Sequence, residues 1–327
     1  MEPITVKTIL IALEPDTLSS GQLARIREVA PDEASIVMTR DHDEIEQLLD
    51  HVEIAAGWFP ADLLPQAPEL RWYQQWSAGA DWLLRHPAAV EADFVLTNTS
   101  GIHAIQISEH IFAFLLALAR ELPQALEAQS RHEWMPSDQH EGLFELAGKA
   151  MLLIGVGAIG ERTAQIAAAM DVNVKGVRRD PAVDAAGVNA MFGPDQLLKL
   201  LPQADFVVMT VPLTEETRGM IAERELRAMK ETAIIVNVGR GGTIDEDALN
   251  QALQEGWIAG AGLDVFETEP LPTASPLWER DNVIITSHYA GITPHYHTRA
   301  LEVFLDNLTR YVAGRPLRNV VDKELGY

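Results

Sequence analysis

Leu152-Leu153-Ile154-Gly155-Val156-Gly157-Ala158-Ile159-Gly160 decides how the rest of the chain is read. Three apolar residues run straight into a G-x-G-x-x-G spacing, and small, helix-forming residues follow from Thr163 to Met170. That order describes a buried strand, a tight turn and the start of a helix. The first glycine permits the turn, the second lets a pyrophosphate come close to the backbone, and the third lets the helix pack on the strand. The unpaired N–H groups at the positive helix end would take the phosphates. A glycine-rich turn by itself is weak evidence. Here the flanking strand and helix are both legible, which favours a dinucleotide site over a plain structural turn. Its expected contacts are Gly155, Gly157, Ala158, Ile159 and Gly160.

The choice of dinucleotide turns on the end of the second strand, where an acidic residue roughly 20 positions on would hold a ribose 2′-OH. The strand Asn173-Val174-Lys175-Gly176-Val177 ends instead in Arg178-Arg179-Asp180. Two guanidiniums stand where a carboxylate would repel a 2′-phosphate, and the planar fork of arginine suits phosphate. Arg178 and Arg179 therefore favour NADP. NAD is the alternative, with Asp180 taking the acidic role one turn late.

The 327 residues are enough for two domains with ample core. Hydrophobic residues make up 47% and charged ones 22%, normal values for a globular protein. A net charge of −23 argues against nucleic-acid or anionic-membrane partners, and requires that an anionic cofactor and substrate meet locally placed arginines. With no cysteine there is no disulfide framework, thiolate nucleophile or Cys-based zinc site. Met1 to Leu13 lacks a basic leader and reads as a strand rather than a signal peptide. Ile111 to Ala119, the longest apolar run, is too short to span a bilayer. The expectation is a cytoplasmic protein.

Strand and helix alternate through the first hundred residues: Lys7–Leu13, Ser35–Met38, Ile54–Trp58, Arg71–Trp76 and Phe94–Asn98 as strands, Ser19–Val29 and Asp43–Leu49 as helices. Such alternation indicates a parallel sheet with crossover helices. Ala104–Arg120 is a helix hydrophobic nearly all round, expected to be buried between domains. Gln124–Glu145 is polar and has no clean period, and reads as an arm or extended loop; Trp134 and Leu143-Phe144 would pack on a partner or on the chain's own domain. From Gly148 the alternation resumes. Six strands (Ala150–Ile154, Val172–Val177, Phe206–Val211, Ala233–Val238, Gly260–Val265, Val283–Thr286) alternate with helices at Ile159–Met170, Pro194–Leu201, Glu223–Met229 and Glu246–Glu255. They fit a doubly wound dinucleotide domain. A last helix, Pro294–Ala313, would return to the first domain. The expected fold is α/β, with two Rossmann-like doubly wound parallel-sheet domains: residues 1–101 with 294–327 for substrate, and 102–293 for the dinucleotide.

Strand ends in open α/β sheets form the ligand crevice, and three carry candidate chemistry. Val236-Asn237-Val238-Gly239-Arg240-Gly241-Gly242 places Arg240 between glycines, with little to cover its head. Glu267 and Glu269 follow the strand ending at Val265. His288 lies just past the sixth strand. His295 and His297, without an organised set of further ligands, read as solvent-exposed helix residues, and no metal site is assigned.

Together these pieces resemble the D-isomer-specific 2-hydroxyacid dehydrogenase family, in the branch containing glyoxylate/hydroxypyruvate reductases. The likeness covers nearly the whole chain. It rests on Ser77-Ala78-Gly79-Ala80-Asp81, Asn98-Thr99-Ser100-Gly101, Ser108-Glu109-His110, Gly155 to Gly160, Val211-Pro212-Leu213-Thr214 with Thr217, Val236 to Gly241, Asp264 to Pro270 and His288 to Gly291. The resemblance implies two domains with a cleft between them, and a homodimer through the cofactor domain. It puts the catalytic arginine at Arg240, the glutamate at Glu269 and the histidine at His288. His288 would protonate the carbonyl oxygen of a 2-oxo acid as hydride reaches C2. Glu269 would hold the imidazole and favour its charged form, and Arg240 would bind the substrate carboxylate and carbonyl. Backbone N–H groups at Ala78 and Gly79 would also hold the carboxylate. Val211, Pro212, Thr217, Val238, Gly239, Asp264, Ala290 and Gly291 would line the cofactor, together with Arg240 and His288. The absence of an acid at Arg178 departs from many NAD-linked relatives, and supports NADP and a reductive role giving D-2-hydroxy acids. Trp58, Phe59, Trp76 and Trp134 would either shape the pocket or pack as ordinary core. Two other readings stay open: an NAD-linked oxidant of a D-2-hydroxy acid, and a dinucleotide-sensing binding protein without catalysis.

Overall fold

The structure, a computed structural model, describes residues 7–136, 138, 140 and 142–326. Residues 1–6, ahead of the expected opening strand, positions 137, 139 and 141 of the expected arm, and position 327 of the expected first domain lie outside the described residues. In chain order the elements are β1 Thr8–Ala12, α1 Ser20–Val29, β2 Ser35–Met38, α2 His42–Leu48, β3 Val52–Gly57, β4 Trp72–Gln75, α3 Pro87–Glu91 and β5 Val95–Thr97. Then come α4 Ala104–Ala119, α5 Leu122–Ser130, β6 Ala150–Ile154, α6 Ala158–Ala169, β7 Asn173–Val177, β8 Ala190–Phe192, α7 Leu197–Leu200 and β9 Phe206–Met209. The chain closes with α8 Glu223–Ala228, β10 Ile234–Asn237, α9 Glu246–Glu255, β11 Gly260–Leu263, β12 Val283–Ile285 and α10 Tyr296–Val312. Contacts divide it into two units, Met1–Ile102 with Thr293–Tyr327, and His103–Ile292.

In the first unit five parallel strands run in the order β2-β1-β3-β4-β5. β1 is apolar on both faces. Ile9 and Ile11 join α1 and the C-terminal α10 in one cluster, while Leu10 and Ala12 join Ile45 of α2 in another. A parallel sheet covered by helices on both sides demands such unbroken hydrophobic strands. Ser19 caps α1 through a reciprocal pair with Gln22, and Asp41 caps α2 by accepting from Glu44 N at 2.9 Å. α10 reaches this sheet through Trp72, whose ring stacks on Phe304 and Tyr311 with centroids 5.5 Å away in each case.

The second unit holds seven parallel strands in the order β12-β11-β10-β9-β6-β7-β8. β6 again faces two cores: Leu152 and Ile154 in one, Met151 and Leu153 in the other. Ile111, Phe114 and Leu115 of α4 cover the second. Both domains are therefore Rossmann-like α/β layers, each with a wholly parallel sheet.

Four local readings need correction. β8 is a seventh strand that periodicity could not mark, because three residues carry no alternation. Gln124 lies inside α5, not an extended arm; Pro123 sits in its first turn, where a missing N–H costs nothing. The helix expected over Pro194–Leu201 is one α-turn, α7, between two 3-10 turns. α4 is not buried all round, since Ile105 and Leu116 are 43% and 38% exposed. No helix among the described residues is long and apolar enough to cross a membrane.

Candidate active site

Strand register brings distant residues to one edge of the second sheet. Val177, Ile154, Met209, Asn237, Leu263 and Ile285 form a continuous row of Cα partners across six strands. Because every strand runs the same way, Arg178, Gly155, Thr210, Val238, Asp264 and Thr286 each follow that row by one residue. The crevice-forming carboxyl edge is thus a single line.

The glycines of the first turn have separate reasons. Gly155 has φ +95°, the left-handed region that glycine alone enters freely, and a Cβ there would lie 2.8 Å from Val211 Cγ1. A Cβ on Gly160 would lie 2.4 Å from Gly155 O, so this glycine lets α6 approach the turn. At Gly157 a Cβ would meet nothing within 4 Å. No internal contact requires glycine at the second position, where a ligand must come close. Gly157 caps α6 without a side chain, and the first-turn N–H groups of Ala158 and Ile159 follow it. These residues fit a dinucleotide pyrophosphate.

Arg178 is half-buried and Arg179 exposed where β7 ends, and Arg178 N donates to Phe192 O of β8 at 3.0 Å. Arg179 also lies within electrostatic reach of Glu216; that carboxyl is held below its usual range by the Thr214 hydroxyl first, with a smaller contribution from Arg179. Past β9, Thr217 Oγ1 donates to Pro212 O at 2.7 Å and accepts from Thr214 N at 2.8 Å, closing the Val211–Thr217 loop. Val238 is buried, and a Cβ on Gly239 would lie 2.6 Å from Val211 O, so these two strand ends touch.

Arg240 follows β10, half-buried, with Nη1 donating to Gly239 O at 2.8 Å. Its carbonyl accepts from Asn237 Nδ2 at 3.1 Å and Thr243 Oγ1 at 2.6 Å. Of the two candidate glutamates, Glu269 meets the histidine. Its Oε2 lies 2.7 Å from His288 Nδ1, and its Oε1 accepts from Phe266 N at 3.0 Å. Glu267 instead pairs with Glu246, each carboxylate accepting from the other's backbone N–H. His288 has φ +54°, a left-handed conformation that costs a non-glycine residue about 1–3 kcal/mol. Beside the pair is a cavity of about 400 Å³ lined by Phe266, Glu269, Pro270, Leu271, Trp278, Ile285, Ser287 and His288.

Asp264 is buried, and its carboxylate holds the turn that carries His288. Oδ1 accepts from Thr286 Oγ1 at 2.5 Å and Tyr289 N at 3.1 Å, and Oδ2 from Ala290 N at 3.1 Å. His288 N donates to Asp264 O at 2.8 Å. Gln106 Nε2 of α4 holds Gly291 O at 3.0 Å.

Comparison with known proteins gives the family of this fold. Residues 112–290 match the family described as "D-isomer specific 2-hydroxyacid dehydrogenase, NAD binding domain". The chain belongs to the D-isomer specific 2-hydroxyacid dehydrogenase family. It is 34% identical over 309 residues to the glyoxylate reductase of Korarchaeum cryptofilum (strain OPF8), covering 91% of this chain and 89% of that one. Among solved structures it resembles the Xanthobacter autotrophicus Py2 family member in complex with NADPH and MES, at 29% identity and TM-score 0.84, covering 99% of this chain and all of that one. It also resembles the NADPH-dependent glyoxylate/hydroxypyruvate reductase of Sinorhizobium meliloti, in complex with NADP and sulfate, at 27% identity and TM-score 0.82, covering 98% and 100%. A nicotinamide dinucleotide is accordingly the cofactor class of this family member.

The remaining candidates, Trp134 apart, lie in the first unit. Ala78 and Gly79 follow β4. Asn98 Nδ2 holds Ala78 O, and Gln75 Nε2 holds Gly79 O, each at 2.8 Å. Among the described residues their two N–H groups have no intramolecular acceptor. Trp76 and Phe59 are buried in the two cores of the first unit, while Trp58 and Trp134 are 40% and 91% exposed. His295 is exposed as expected, but His297 is half-buried, its Nδ1 3.2 Å from Trp76 Nε1. The sequence reading missed Thr286, Gln75 and the bonded role of His110. Only the strand-end position of Thr286 could have signalled it.

Proposed function

We propose that this chain is an NADPH-dependent reductase of small 2-oxo acids, of the glyoxylate and hydroxypyruvate type, giving D-2-hydroxy acids. The observation that carries the reading is the 2.7 Å pair of His288 Nδ1 and Glu269 Oε2, built on adjacent strand ends of a glycine-turn dinucleotide sheet. A sensor protein has no need of such a pair. The names of the relatives support the substrate class, and Arg178 with Arg179 supports NADP.

The cofactor, when bound, supplies hydride to C2. The residues of the chain do the rest. Glu269 occupies Nδ1 of His288, so Nε2 is the nitrogen that gives a proton to the developing alkoxide. The Phe266 N–H fixes the other Glu269 oxygen, which orients the carboxylate and through it the ring. Arg240 offers a planar fork to the substrate carboxylate, and the N–H groups of Ala78 and Gly79 are donors of the kind a carboxylate needs. Hydride and proton together convert C=O to CH–OH. We also propose a homodimer through the second unit, where Leu116, Leu122, Leu126 and Trp134 are 38%, 46%, 64% and 91% exposed and are apolar side chains for a second copy to cover.

The test is NADPH oxidation with a panel of 2-oxo acids. Glyoxylate and hydroxypyruvate should turn over faster with NADPH than with NADH, and hydroxypyruvate should yield D-glycerate. His288→Ala should lower kcat by about 10²–10⁴. NADPH binding without turnover of any 2-oxo acid would overturn the reading.

A further inference from the structure

Ser108-Glu109-His110 is a motif the proposed chemistry does not use. His110 lies on the α4 face that also carries Ile107, Ile111 and Phe114. Its side chain is 16% exposed. The Phe114 ring, one turn on, meets it edge-on with centroids 4.6 Å apart, and lies against Gly262 of β11, where a Cβ would come within 2.6 Å of Phe114 Cγ. The Tyr289 ring covers another side at 5.4 Å. A titratable group in so apolar a place needs a partner. His110 Nε2 lies 3.0 Å from Thr286 Oγ1 and 3.9 Å from Asp264 Oδ1.

The direction of these bonds follows from proton counting. A threonine hydroxyl has one proton to give. Thr286 Oγ1 gives it to Asp264 at 2.5 Å, and can then only accept from His110. His110 must therefore carry its proton on Nε2. The Asp264 carboxylate, filled by Thr286, Tyr289 N and Ala290 N, holds the turn in which His288 takes its left-handed backbone.

We propose that His110 is a positioning residue for the proton donor: its Nε2–H fixes the Thr286 hydroxyl on Asp264, and Asp264 fixes the turn that presents His288 to Glu269. The inference rests on the reductase reading for its kinetic consequence, but not for its geometry. Burial holds His110 below the ordinary imidazole range, with Asp264 opposing that shift; Tyr289 is the other titratable group in contact with it. A neutral ring with a single N–H suits the role.

Two experiments test it. In protein labelled with ¹⁵N-histidine, with the His110 resonances assigned by loss in H110Q, His110 should be the neutral Nε2–H tautomer at pH 7.5. An Nδ1–H tautomer or a charged ring would overturn the proposal, whether or not the protein reduces any oxo acid. In the enzyme, T286V should lower kcat about ten- to hundredfold, as misplacement of a reacting group does. Its NADPH affinity should change far less than its kcat, and its solvent deuterium isotope effect should rise, because proton donation becomes more limiting. T286S and H110Q, which keep a hydroxyl or a donor near Nε2, should recover most of the rate, and H110F should behave like T286V. Normal kcat in T286V and H110F, or equal losses in T286V and T286S, would overturn it. A wild type that shows the expected tautomer but reduces no oxo acid would instead remove the functional reading alone.

Discussion

Gly241 and Phe266 meet backbone to backbone: a Cβ on Gly241 would fall 1.8 Å from the carbonyl carbon of Phe266. The loop carrying Arg240 is thereby pressed onto the loop whose Phe266 N–H holds Glu269. Gly241→Ala must push the two apart, and should cost about 3 kcal/mol, the upper end for overpacking. Gly242→Ala meets nothing nearer than the Leu213 methyls at 3.4 Å, with Arg218 Nη1 at 3.8 Å, and should cost less than about 1 kcal/mol. Denaturant midpoints of the two variants at unchanged slope check this. Equal destabilisation would show that the contact does not constrain the site.

The glycine turn separates packing from binding. Gly160→Ala collides with Gly155 O and should lower stability by about 1–3 kcal/mol without cofactor present. Gly157→Ala finds open space and should change stability by less than about 1 kcal/mol, yet weaken dinucleotide binding at least tenfold. Thermal melts and fluorescence titration with NADPH on the same samples distinguish the two.

Cofactor choice should respond to the end of β7. Arg178→Asp should raise the Kd for NADP by about tenfold or more, and leave that for NAD unchanged or lower. Retention of the wild-type ratio would place the 2′-phosphate elsewhere.

Stability should fall in mild acid through His297. Burial lowers its imidazole, and its Nδ1 receives the Trp76 indole N–H. The unfolded chain then binds a proton at higher pH than the folded one. Stability is full above about pH 6.5 and declines as pH drops below it. His110 acts in the same sense and the Asp62-bonded His42 in the opposite one. His297→Asn keeps an acceptor near Nδ1 and does not titrate, so its stability should depend less on pH between 7.5 and 5.5. A slope identical to wild type in urea titrations would refute this.

The exposed apolar side chains of the second unit make the proposed oligomer testable. L126D with W134A should shift the mass in light scattering from two chains to one, while melting as a single transition. A wild type already monomeric at micromolar concentration would end the dimer proposal.

Much of the architecture was legible because its cause is local. Alternation of apolar strands with capped helices follows from residues a few positions apart, and Gly155–Gly160 announces its turn from glycine spacing alone. The short β8 and the helix α5 were not legible, since three residues have no period and a polar helix begun by Leu122-Pro123 has a weak one. At the site, strand-end position singled out Arg240, Glu269 and His288, but resemblance alone preferred Glu269 to Glu267. The register of six strands and the bond from Phe266 N put Glu269 on the imidazole, and Glu246 took Glu267. The amino-acid order by itself determined two parallel α/β layers and a dinucleotide turn, because those depend on short-range pattern and backbone sterics. Only the tertiary structure decided that His110, Asp264 and Thr286 share one hydrogen-bonded line, although 176 residues separate His110 from Thr286 and 22 separate Thr286 from Asp264. Such a line requires α4 to lie against β11, and no local pattern encodes that packing.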